Sequence, residues 1–302
     1  MNFITIVVGA IPRVFRRRDR SWLPAIAAVL LLGSLSALAY PPAPPTTLYG
    51  VVRGEFGFNL DDGETDLVLL ADNVEVVRTT IRDAGRFNEN YRLVLPLDLN
   101  PGVGAYRPGT VSEDEAVEYV IVAERGGTRI PVVEVNAAVD TFVPDAASLL
   151  RLDFTLGEDI DGDGLPDVWE RFQVTSGGGG AAGQDPLALL SREGDWDGDG
   201  LTDWQEYIAG TFALLFEDEL RFRIVDVADS GQTSVEFLAV DGKSYIIEAS
   251  VDGKNWTQVE METSGGTPES LSFFRAEDTQ VESMEVSHDP SVVRMFYRLR
   301  VN

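Results

Sequence analysis

The sequence predicts a mainly β protein in which two β-sandwich domains flank a small helical segment carrying paired acidic loops. Three observations lead to this fold class. Short runs rich in Val, Ile, Leu and Tyr recur between Asp-Gly, Asn-Pro-Gly, Pro-Gly and Gly-Gly turn signals. That pattern breaks near Gly157, where carboxylates and glycine take over, and returns near Leu220. Inside the break, one acidic register of twelve residues occurs twice, 36 residues apart.

Taken in order, residues 1–39 read as an export signal. Arg13, Arg16, Arg17, Arg18 and Arg20 form a basic cluster, and residues 23–39 are apolar apart from Ser34 and Ser36. Ala37 and Ala39 are small residues at the two positions a signal peptidase reads, and Tyr40-Pro41-Pro42 cannot continue a helix. The rival reading is an uncleaved membrane anchor, for which this apolar run is short. Residues 40–46 read as a proline-rich extended tether.

Residues 47–156 are expected to form the first sandwich. Its strand-like runs are 48–53, 66–70, 74–81, 91–96, 117–123, 129–135 and 149–154. Residues 157–215 are expected to hold the paired loops. Asp185-Pro186 starts a short apolar run as an N-cap and first-turn proline would, and 204–209 followed by Gly210 reads as a short helix with a glycine stop. Residues 177–180 form a glycine run. Residues 216–302 are expected to form a second, immunoglobulin- or fibronectin-like sandwich, from runs at 220–227, 234–240, 245–250, 256–259, 271–274 and 293–301. Trp256 reads as a core residue of one of these strands.

Charge and composition narrow the function classes. The chain has 302 residues and a formal charge of −26. Residues 1–39 carry five Arg and one Asp, so removing their +4 leaves −30 on the remainder. Phosphate backbones are repelled by such a protein, which excludes nucleic acid as a partner. An anionic membrane surface is disfavoured for the same reason, leaving membrane contact only through an uncleaved leader. There is no Cys and one His, His288. Disulfides, thiolate chemistry and Cys- or His-based zinc, copper and nickel sites are therefore absent.

The acid is clustered. Residues 159–170 read D-I-D-G-D-G-L-P-D-V-W-E, and residues 195–206 read D-W-D-G-D-G-L-T-D-W-Q-E. Calcium takes six to eight oxygens, and a twelve-residue loop supplies them from positions 1, 3, 5, 7, 9 and 12. In the first loop these are Asp159, Asp161, Asp163, the Leu165 carbonyl, Asp167 and Glu170. In the second they are Asp195, Asp197, Asp199, the Leu201 carbonyl, Asp203 and Glu206. Gly164 and Gly200 fall at position 6, where the chain must turn sharply. The plain alternative, a solvated acidic turn, would leave five carboxylates crowded in one loop, twice over. Magnesium suits such a loop less well, because it prefers a small octahedral cage and retains its waters.

The loops resemble those of EF-hand proteins, dockerins and thrombospondin type 3 repeats. The longer strings at 151–170, 195–211 and 296–302, with the G-K-S-Y-x-x-E-A-S-x-D-G-x-x-W string at 242–256, resemble a family of exported, largely uncharacterised bacterial proteins. The resemblance implies a leader, a β domain, a calcium-loop pair and a closing β domain. It implies no activity. A strand precedes the first loop where an EF-hand has a helix. Pro166 stands at position 8, and having no N–H it cannot make the bond that pairs two EF-hand loops. Trp169, Phe172, Leu190, Trp204 and Tyr207 are expected to pack into one small core that joins the loops instead.

No Gly-x-Ser-x-Gly, phosphate loop or zinc motif is present. His288-Asp289 precedes Pro290 in a turn and reads as a surface residue. Three readings follow: an exported, calcium-stabilised structural or interaction protein, secreted, periplasmic or at the cell surface; a module binding a glycan or another surface protein; and an enzyme using an acidic dyad. The first is the reading adopted, with no enzyme activity assigned.

Overall fold

In the computed structural model, residues 44–302 are described apart from 72, 84, 99–110, 113–118, 136–145, 178–182, 219, 264–269 and 293. The leader, most of the proline tether and part of the glycine run lie outside the described residues. Among the described residues no helix is long and apolar enough to cross a membrane. Residues 42–302 form one compact unit.

Its N-terminal part is built from strands β1 (Thr46–Gly50), β2 (Val52–Arg53), β3 (Thr65–Ala71), β4 (Val74–Thr80), β5 (Tyr91–Leu95), β6 (Leu97–Asp98), β7 (Val111–Ser112), β8 (Tyr119–Arg125), β9 (Thr128–Ile130), β10 (Val132–Val135), β11 (Leu149–Arg151) and β12 (Phe154–Leu156). Thr46, expected in the tether, is buried and begins β1. The single run expected at 48–53 is two strands. β1 lies between β5 and β11, whereas β2 edges a sheet with β12 and β10. The last strands change sheet in step, so β1 pairs β11 and β2 pairs β12, both in parallel. A third sheet runs β4-β3-β8-β9. β5 shows why this part is a layered β structure: Tyr91, Leu93 and Leu95 face inward while Arg92 and Val94 face out. Side chains from all three sheets, among them Leu48, Val52, Leu67, Leu69, Leu93, Ala123 and Phe154, share one core.

The C-terminal part comprises β13 (Phe222–Ala228), β14 (Gln232–Ala239), β15 (Ser244–Ser250), β16 (Thr257–Val259), β17 (Met261–Thr263), β18 (Ser270–Leu271), β19 (Phe274–Arg275), β20 (Gln280–Ser287) and β21 (Phe296–Val301). One sheet runs β13-β14-β20-β17-β18; the other runs β16-β15-β19, with β21 also against β15. Val235, Phe237, Met284 and Val286 from the first meet Tyr245 and Ile247 from the second in a common core. The protein is mainly β, as the sequence predicts, with two short α-helices among the described residues.

Those helices, α1 (Asp167–Phe172) and α2 (Asp203–Ala209), lie between the two β parts. α2 starts at a Thr202–Gln205 capping box and stops at Gly210, whose φ of 83° is the left-handed conformation that glycine adopts without strain. Asp185 caps a 3₁₀ turn at Pro186–Ala188, accepting from the Leu187 N–H.

Candidate metal centre

β12 ends at Leu156 and hands the chain directly to the first loop, 159–170. The local sequence folds this loop onto its own carboxylates. Asp159 Oδ1 accepts the N–H groups of Gly162 at 2.7 Å and Asp163 at 3.2 Å, and its Oδ2 accepts that of Gly164 at 3.1 Å. The second loop repeats the arrangement: Asp195 accepts from Gly198 at 2.8 Å and Gly200 at 3.2 Å. Both glycines in each loop are left-handed, with φ of 76° and 95° in the first and 78° and 101° in the second. A side chain there would strain the turn. At position 5, Asp163 and Asp199 accept the N–H of Leu165 and Leu201, at 2.8 and 2.7 Å, which anchors each position-7 peptide.

Position 9 plays a bracing part. Asp167 and Asp203 are fully buried. Asp167 Oδ1 accepts the Ile160 N–H at 2.8 Å, and Oδ2 accepts from Arg171 at 2.8 Å. Asp203 accepts the N–H groups of Ser191 at 2.9 Å and Trp196 at 3.4 Å. Their own N–H groups donate to the carbonyls of Glu158 and Gly194, just before each loop. These two side chains close the loop as well as lying beside the ligand positions.

Position 12 carries the deciding observation. Glu170 and Glu206, on the first turns of α1 and α2, are buried, and both oxygens of each find no hydrogen-bond donor among the described residues. Asp163, Asp197 and Asp199 each leave one further buried oxygen without a donor. Burial, and then repulsion from Asp163 and Asp161, pushes the Glu170 carboxyl up to about 9. Burial, and then repulsion from Asp197 and Asp199, does the same to Glu206. Burial also pushes Asp163 up to about 6 and raises Asp161 and Asp197. An unpaired buried carboxylate costs several kcal/mol, so such an array is stable only with protons or a cation inside it. The ligand oxygens of Asp159, Asp161 and Asp167 converge within 4.8 Å, as do those of Asp161, Asp163 and Glu170 and those of Asp195, Asp197 and Asp199. The donor set is all oxygen, so it fits a hard metal ion.

No family model, curated protein or solved structure matches the chain.

Behind the loops lies a small core of Leu165, Trp169, Leu190, Tyr207, Ala213 and Leu214, with Trp204 partly buried against it. Trp169 meets Tyr207 edge to face at 5.5 Å, and Trp204 stacks on Tyr207 at 5.2 Å. Phe172 departs from the expected set. It is 40 % exposed and sits instead between Phe56 and Phe212, at 5.6 and 5.8 Å. Being three residues from Trp169 places it on the same helical face by count, yet the α-helix passes there into a π-helical turn at Gln173–Gly177, and the ring meets Phe56 and Phe212 instead. Among the described residues no strand pairing links the two loops.

Sequence reasoning missed what holds this segment to its neighbours. The turn at 54–58 is the shared contact. The Tyr207 hydroxyl donates to the Gly54 carbonyl at 2.6 Å, and a side chain at Gly57 would collide with the Tyr207 carbonyl. Lys243, fully buried at the start of β15, donates to the Gly57 carbonyl at 2.8 Å and lies 4.6 Å from the Phe58 ring centre. Burial, and then the charge of Arg53, lowers its ammonium to about 7. Arg192 stacks over Trp204 at 3.8 Å. The one sequence signal for Lys243 is its place between the Asp241-Gly242 turn and a strand that holds Tyr245, Ile246 and Ile247.

Proposed function

We propose that this is an exported calcium-binding structural or interaction protein in which calcium rigidifies the joint between two β parts. One observation carries the reading: two buried glutamates with all four oxygens unpartnered, each behind aspartates in the same register. Calcium would be held by Asp159, Asp161, Asp163, the Leu165 carbonyl and Glu170, and by Asp195, Asp197, Asp199, the Leu201 carbonyl and Glu206, with Asp167 and Asp203 at position 9. It supplies positive charge that cancels repulsion the loops cannot relieve themselves.

The coupling to the joint is covalent and short. Trp169 precedes Glu170 and Tyr207 follows Glu206, so each position-12 ligand adjoins a residue of the small core. Tyr207 also reaches the Gly54 carbonyl. Fixing the glutamates fixes the faces that pack between the β parts.

Calorimetry on residues 40–302 tests the ion: about two calcium sites are expected, in the micromolar to millimolar range of exported modules. Absence of heat at millimolar calcium would sink the proposal. Small-angle scattering tests the joint. The radius of gyration should fall when calcium replaces chelator, and Trp204→Ala should blunt the fall. An unchanged curve leaves calcium bound but without a part in domain geometry.

A further inference from the structure

The outer face of the β16-β15-β21 sheet gathers arginines and aromatic rings on an acidic chain. Tyr297, Leu299 and Val301 of β21 point into the core, so Phe296, Arg298 and Arg300 point out. Their cross-strand partners on β15 are Ser250, Glu248 and Ile246. Glu248 takes both arginines, Arg298 at 2.6 Å and Arg300 at 3.3 Å. Arg298 also stacks on Trp256 at 4.4 Å, and Arg294 lies 5.7 Å from the Phe296 ring centre. Trp256 is therefore not a core residue, as its sequence setting suggested. It is half-buried on this outer face, beside β16. Three guanidiniums thus meet two carboxylates, Glu248 and, at the edge, Asp252, which Ser250 holds at 2.9 Å, so the face is positive on a chain of −26. Phe296 remains 39 % exposed, and both paired arginines stay nearly half exposed.

We propose that this face binds an acidic polysaccharide. Two flat rings offer apolar surface to the C–H faces of sugars, and guanidinium forks match carboxylate or sulfate groups with paired hydrogen bonds. Phe296 and Trp256 supply the rings and Arg294, Arg298 and Arg300 the forks, gathered on one face, as neutral ring faces and acidic groups lie side by side along a charged glycan. Nucleic acid shares part of this chemistry, but its denser charge meets stronger repulsion from the acidic remainder. No residue of either acidic loop takes part, so the inference goes beyond the calcium reading and can fail separately from it.

Affinity electrophoresis of the full chain, in calcium, through gels containing hyaluronan, dextran sulfate or plain dextran provides the test. Retardation is expected in the two charged gels, with the stronger one showing whether carboxylate or sulfate is preferred. Arg294→Ala and Phe296→Ala stand clear of Glu248 and so leave it paired, and each should weaken retention about tenfold. Glu248→Gln keeps hydrogen-bond acceptance but removes the negative charge between the two arginines, and should strengthen retention. Equal retardation in plain dextran, retention unaltered by Arg294→Ala and Phe296→Ala, no retention, or equally strong retention by single-stranded DNA would each overturn the proposal. Asp161→Ala with Asp197→Ala should leave retention intact even if calcium binding is lost.

Discussion

The two acidic loops share a backbone and differ in what supports it. Both fold over their first aspartate, both turn through left-handed glycines at positions 4 and 6, and both bury a position-12 glutamate. Around that common loop the scaffolds diverge. The first leaves a β-strand and enters α1 through Pro166, which offers no side-chain cap. The second follows a 3₁₀ turn and enters α2 through a full capping box. The first also carries a compensating cation, since Arg171 pairs with Asp167, whereas Asp203 is met by backbone N–H groups. The carboxylate pattern is thus written within twelve residues, while its support comes from outside them. The second loop, better capped and less neutralised, is expected to bind calcium more tightly.

The largest expected effect comes from position 12. Glu206→Gln should cost its loop on the order of a hundredfold in affinity, by removing a two-oxygen ligand and a charge. In chelator the same change should raise the melting temperature, because a buried unpaired carboxylate has gone. Glu170→Gln should remove the weaker site instead. Calorimetry resolves the two; if either variant keeps both sites, the glutamates are not ligands.

Next is the joint test of both loops. Calcium that binds only the folded chain raises its melting temperature as concentration rises. Asp161→Ala with Asp197→Ala should abolish that rise. A double variant that still responds would put the ions elsewhere and end the comparison.

The pH dependence should be of definite sign. Unfolded glutamate titrates near 4.5, while folded Glu170 and Glu206 titrate near 9 in the absence of an ion. The folded form therefore holds protons that the unfolded form has lost, and stability in chelator should fall as pH rises through that window. Saturating calcium should flatten or reverse the slope, because it binds the ionised groups. Urea unfolding at several pH values measures both arms, and a chelated protein that gains stability between pH 5 and 8 contradicts the assignment.

The smallest effects concern the supports. Thr202→Ala should cost about 1 kcal/mol and weaken chiefly the second site. Arg171→Gln should tighten the first site a few-fold, since the exposed end of that ion pair is well screened. Equal responses of both sites to either change would mean that the scaffolds do not set the difference.

The loops were legible because the clustered carboxylates and both turns of each lie within a dozen residues of one another. The Asp185 cap and the Gly210 stop were legible for the same reason. What escaped the sequence was long-range or masked by charge. β20 is the centre of its sheet, but only Met284 and Val286 on it are buried, and glutamates at 282 and 285 disguise its alternation. The crossing of the chain between sheets at Val51 has no local signal, because that residue is buried like its neighbours. Phe172 and Trp256 were placed in cores on type and spacing. Their surroundings come from residues forty or more positions distant, Phe56 and Phe212 in the first case and Arg298 in the second. The turn at 54–58 holds three parts of the molecule together through main-chain carbonyls, which no side-chain pattern announces.

The parallel pairing of β2 with β12 has a kinetic consequence. It joins residues about a hundred apart, and closing so long a loop is slow. β12 runs straight into the first acidic loop, so that loop acquires its fixed starting point only after this late closure. On the proposed reading, an ion there would hold the finished structure without having helped to assemble it. Calcium should therefore lengthen the lifetime of the folded chain by slowing unfolding, while the rate of refolding from denaturant stays nearly the same with or without it.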